Sequence, residues 1–186
     1  MRKQKAARTP ARSGRARQRK RPRGGDPGGT TDGALRELIA RSLAWHDAHA
    51  DFEQTIADLT IQQAGQKPAG LPYSAWQLLE HLRLAQRDIL EFCRDPHYKE
   101  RKWPDEYWPA ADAPPDARAW QQSAAAYRRD LEELQRMAGD SRINLFARIP
   151  HGQGQTLLRE IILVLDHNAY HLGQLVLVRR LIGAWK

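Results

Sequence analysis

The chain has 186 residues, room for one core, and its thirty Lys and Arg against twenty-two Asp and Glu give a formal net charge of +8. That excess is local. Residues 1–30 hold eleven of the bases and a single acid, Asp26, leaving nineteen bases against twenty-one acids elsewhere, so basicity argues for nucleic-acid contact at the tail alone. One cysteine, Cys93, excludes an intrachain disulfide and fits a reducing, cytoplasmic setting; the first thirty residues contain no apolar run that could act as a secretion signal.

Residues 1–31 are rich in Arg, Gly, Pro and Ala and bury too little apolar area to offset the entropy of ordering, which predicts a disordered basic tail. Such a tail can bind nucleic acid through its phosphates, although a solvated extension accounts for it more simply. Its Gly and Pro work against an amphipathic mitochondrial presequence. The remainder, residues 32–186, reads as one helical domain.

Four helical segments follow in order. The first is expected over about Asp32 to Leu59, with Leu35, Ile39, Leu43, His46, Ala50 and Ala57 along one stripe. The second opens at Ser74, where Ser74 and Gln77 have the spacing of a capping box. Leu78, Leu82, Ala85, Ile89 and Phe92 form its apolar face, and it ends before Pro96. Cys93 lies at helical spacing from Leu82, Gln86 and Ile89 and reads as a small buried side chain rather than a nucleophile. The third runs from about Pro115 to Ala138 on Trp120, Ala124, Tyr127, Leu131 and Leu134. The fourth starts after Thr156, a helix-capping residue, and reaches about Ile182.

The connection of roughly residues 95–115 contains Trp103, Tyr107 and Trp108 among five prolines, too long for a tight turn and too aromatic for a free linker. It is expected to pack back across the helices. The pattern implies a four-helix bundle that is not simply up-down-up-down. The fourth helix carries two apolar stripes, one of Leu158, Ile162, Leu165, Leu172 and Val176, the other of Val164, Leu175 and Val178. One should face the core and the other the crossover or a second subunit. Asp166, His167, Asn168, His171 and Gln174 interrupt it, so no membrane span is expected.

The chemistry lies in Asp166-His-Asn-Ala-Tyr-His-Leu-Gly-Gln174. His167 and His171 are one turn apart on one helix face and can converge on one point, as two neutral imidazoles do around a metal ion. His81, at the edge of the second helix's apolar stripe, could complete a three-histidine set or lie along the bundle surface. Three histidines suit Zn²⁺, Ni²⁺ or another borderline divalent ion, leaving an open position for water or a thiolate. Asn168 stands where a zinc-protease motif needs glutamate, and phosphate-binding glycine loops, a serine elbow and the di-iron Glu-x-x-His pattern are absent. His46, His49, Glu80 and Asp88 are the candidates for a general base, and Glu80, Asp88 and Asp166 for accepting a ligand's second ring N–H. His151, in a turn, could reach the mouth of the site; His97 reads as solvated.

With these residues in place, Trp76-Gln-Leu-Leu-Glu-His81 followed by the His167/His171 run resembles the DinB-like (YfiT-like) superfamily of metal-dependent proteins. Trp103-Pro-Asp-Glu-Tyr-Trp-Pro109, the run Ile149 to Glu160 and the ending Arg179 to Trp185 fit the same family, over residues 32–185. The resemblance implies an up-down-down-up four-helix bundle, often a homodimer, with a divalent metal on His81, His167 and His171. It also implies thiol-dependent transferase or isomerase chemistry in some members, with a low-molecular-weight thiol; an ion on three histidines would suit a metal-dependent hydrolase or a thiol S-transferase. Two other readings stand beside it: a non-enzymatic helical module whose tail binds nucleic acid, and a metal site that only stabilises the bundle.

Overall fold

The computed structural model describes residues 27–44 and 47–185, and among these it has six helices and no strand. They are α1 (Pro27–Ser42), α2 (Phe52–Ile56), α3 (Ile61–Gly65), α4 (Ala75–Arg94), α5 (Ala117–Gly139) and α6 (Leu157–Leu181). The tail up to residue 26, and His46, lie outside the described residues. Pro27 opens α1, a position where its missing N–H costs nothing, so helix begins slightly before the boundary expected at residue 31.

The long first helix expected from Asp32 to Leu59 is two helices instead, α1 and α2, with α3 following beyond it. Asp51 accepts the Gln54 N–H while the Gln54 side chain returns to the Asp51 N–H, and Thr60 with Gln63 repeats the arrangement. Capping boxes at Asp51 and at Thr60 each start a new short helix, and Asp58 turns the chain between them at a φ of 59°. Of the expected apolar stripe, Leu35 and Ile39 lie in α1, while Leu43, Ala50 and Ala57 lie in the connections. Its first member is also less buried than expected: Leu35 is exposed, while Arg36 is buried and donates to the carbonyls of Asp140 and Ile143 beyond α5.

The other long helices lie where the sequence places them, with Ser74, Asp116 and Thr156 as caps. Their directions follow from side-chain contacts. Along α4 and α5 the partners rise together: Trp76 with Trp120, Gln86 with Tyr127, Arg87 with Asp130. Along α4 and α6 they run opposed, His81 with His171 and Gln86 with Asn168. Arg36 reaches Asp140 while Gln135 reaches Ala40, so α1 and α5 are antiparallel too. The order is up-down-down-up. Parallel α4 and α5 must be joined by a segment that travels the length of the bundle, which is why the crossover is long.

Leu78, Leu79, Leu82 and Leu90 of α4, Trp120, Tyr127 and Leu134 of α5, and Ile161, Val164, Leu175 and Val178 of α6 form the core. Burying one such leucine is worth about 1.5–3 kcal/mol. The stripe of Val164, Leu175 and Val178 faces inward; of the other, Leu172 is buried too and Leu158 and Leu165 pack against the core, while Ile162 is exposed along with Tyr170, Leu177 and Leu181. By length and a mean hydropathy of 1.3, α6 would also pass as a membrane-crossing helix, but its inward residues are buried against the bundle. The crossover packs across α4 as expected: Asp112 and Pro109 carbonyls accept from Ser74 and Gln77. At α3, Gly65 approaches Ala113 so closely that a Cβ there would collide with it.

Candidate metal centre

Helical spacing puts His167 and His171 on one face of α6, and the antiparallel register of α4 sets His81 opposite them. Their Nε2 atoms converge: His81 Nε2 is 3.1 Å from His171 Nε2 and 3.1 Å from His167 Nε2. One ligand atom from each of the three falls within 4.8 Å of the others. A four-coordinate ion with bonds of about 2.0–2.1 Å holds ligand nitrogens about 3.3 Å apart. His81 is only 2 % exposed, not on the bundle surface, because the crossover covers it. Trp108 stacks on its ring at 3.9 Å and 6°, and Trp103 approaches edge-on.

Hydrogen bonding fixes which nitrogens carry protons. His81 Nδ1 lies 3.0 Å from the Tyr107 carbonyl, which can only accept, so the proton is on Nδ1 and Nε2 presents a lone pair. His171 Nδ1 donates to Gln174 Oε1 at 2.7 Å, leaving its Nε2 in the same state. Two lone pairs therefore face each other at 3.1 Å with no proton between them, an arrangement that a cation relieves. His167 Nδ1 is buried without a hydrogen-bond partner, as is Asn168 Oδ1 beside it. Burial pushes the His81 ring down to about 4, the nearby His171 adding to the effect against the Tyr107 bond. Burial and the two other rings push His167 down to about 3, and burial lowers His171 as well. At neutral pH all three are uncharged, the form that binds metal.

None of the acids considered as ring partners serves. Glu80 pairs with Arg83 at 2.8 Å; burial pushes its carboxyl up, but the Arg83 and Ser123 hydrogen bonds and the Arg83 charge bring it below its ordinary value. Asp88 accepts the phenols of Tyr98 and Tyr107, and Asp166 is exposed. The carbonyl of Tyr107 and the amide of Gln174 do that work instead. The i, i+3 spacing of His171 and Gln174 was a usable signal for the second; a main-chain carbonyl from a distant segment leaves no mark on the sequence. His49 is exposed and bonded to the Ala50 carbonyl, His97 is exposed, and His151 donates to the Phe92 carbonyl at 2.9 Å. Burial pushes the Cys93 thiol up to about 12, which fits a packing role.

The family model of the DinB superfamily matches residues 44–175, which include all three histidines and the crossover. The chain belongs to the DinB superfamily. No curated protein and no solved structure matched it. A polar cavity of about 520 Å³ lies farther along this DinB-superfamily bundle, lined by Asp88, Phe92, Tyr98, His151, Arg159 and Glu160 among others and by none of the three histidines. Asp88 follows His81 by two helical turns, and the lining residue Leu163 precedes His167 by one, so cavity and histidines share the α4/α6 groove.

Proposed function

We propose that His81, His167 and His171 hold one divalent ion, zinc or nickel, and that this DinB-superfamily chain is a metal-dependent enzyme of the thiol S-transferase or hydrolase type. The observation that carries the reading is the pair of proton-free Nε2 atoms facing each other at 3.1 Å with a third imidazole beside them. A divalent ion among three neutral imidazoles keeps its full charge and supplies Lewis-acid chemistry, polarising a carbonyl or stabilising a thiolate. The chain's own groups orient and cover. Tyr107 and Gln174 set the rings, and Trp108 shields one face of His81.

Of the expected general bases, Glu80, Asp88 and His49 are committed elsewhere. A thiolate nucleophile needs no side-chain base, so thiol transfer fits these residues better than hydrolysis, with a low-molecular-weight thiol as second substrate. Untagged protein should contain about one divalent ion per chain by elemental analysis, and His171→Ala should lose most of it. Equal metal in the two proteins would end this reading. We also propose that a second copy of the chain, forming the homodimer that the family resemblance implies, covers the exposed Ile162, Tyr170, Leu177 and Leu181 on α6.

A further inference from the structure

Asp88 stands seven residues after His81, on the same face of α4, and is only 8 % exposed. Its carboxylate gathers two crossover phenols: Tyr107 donates to Oδ2 at 2.7 Å, and Tyr98 to both oxygens at 3.1 and 3.2 Å. Arg101 Nε, at 3.7 Å, is the nearest cation to it among the described residues. Burying a carboxylate is costly even with two phenol donors and one cation at 3.7 Å, and an apolar contact would fasten a loop with less desolvation. What the carboxylate adds is direction.

Tyr107 is thereby tied to α4 at two points. Its phenol is held by Asp88, and its carbonyl accepts the His81 Nδ1 proton at 3.0 Å. That carbonyl is what keeps the proton on Nδ1 and turns the Nε2 lone pair toward His167 and His171. The next residue, Trp108, lies flat on the same imidazole. A loop free to shift would surrender both contacts together.

We propose that Asp88 is a positioning residue of the three-histidine site, acting through Tyr107 to fix the proton position and orientation of His81. This inference rests on the histidines being ligands, yet the two fail in different measurements. In full-length protein, ¹⁵N NMR of the imidazoles reads the His81 tautomer without any metal, and competition with a chromogenic chelator reads zinc affinity. Wild type should show one His81 tautomer, protonated at Nδ1. Asp88→Asn and Tyr107→Phe should give mixed tautomers and weaken zinc about 10- to 100-fold. Tyr98→Phe, which leaves the Tyr107 bond intact, should keep the wild-type tautomer and bind zinc nearly as well. The double variant Asp88→Asn with Tyr107→Phe should be no weaker than the worse single one, because both remove the same link.

A wild-type tautomer with unchanged zinc affinity in Tyr107→Phe, at a lowered melting temperature, would make Asp88 a mere strut and overturn the proposal. Should Asp88→Asn fail to fold, Tyr107→Phe decides alone. Should wild type bind no zinc, the metal reading falls, while the tautomer comparison still decides whether Asp88 positions His81.

Discussion

In an unfolded chain a histidine titrates near about 6.5. Burial holds His81 down to about 4 and His167 down to about 3 in the folded protein. Between those values the unfolded state binds more protons than the native one, so native stability is intact above about pH 6.5 and drains away as pH falls through the folded values. Metal-free protein should therefore unfold at lower urea at pH 5 than at pH 7. Replacing one of the rings by an apolar side chain, as in His167→Leu, should flatten that slope; equal slopes would show that the histidines do not carry the acid sensitivity. The Glu53–Arg128 pair acts in the same direction but is exposed, so its part is small.

At the scale of elements, one glutamine joins three helices. Gln86, 1 % exposed, donates to the Tyr127 carbonyl on α5 and accepts from Asn168 on α6, each at 2.8 Å. Asn168 lies between the two α6 histidines, so this bridge sets the register in which they meet His81. Gln86→Leu should cost about 1–3 kcal/mol for each group left unpaired, read from urea denaturation. A loss below about 0.5 kcal/mol would mean that the bridge is dispensable. The long helices were legible because Ser74, Thr156 and the apolar periods of α4 and α5 are local signals. The break of the first helix was local as well, written in Asp51–Gln54, but the longer-range apolar period masked it. Burial of His81 was illegible, since it depends on a crossover that returns from some twenty-five residues away.

For the whole molecule, the family resemblance stated the up-down-down-up order, and the contact register along α4, α5 and α6 gives it independently. The three histidines that spacing and resemblance singled out do converge, while the groups that orient them came from unforeseen places. The exposed α6 row carries its own expectation. If a second copy covers it, Leu177→Glu with Leu181→Glu should convert a dimer into a folded monomer by sedimentation equilibrium; an unshifted mass would send the search for the partner elsewhere.

Because α4 and α5 point the same way, the backbone between Arg94 and Asp116 cannot shrink to a hairpin. Evolution must keep an excursion there whatever its composition, and this excursion happens to roof the α4/α6 groove. The scaffold thus separates two duties: helices carry the imidazoles, while the detour, anchored through Tyr98 and Tyr107, covers them and orients His81. Swapping only that detour between bundles of this architecture would change the cover over the three histidines without touching the helices that carry them.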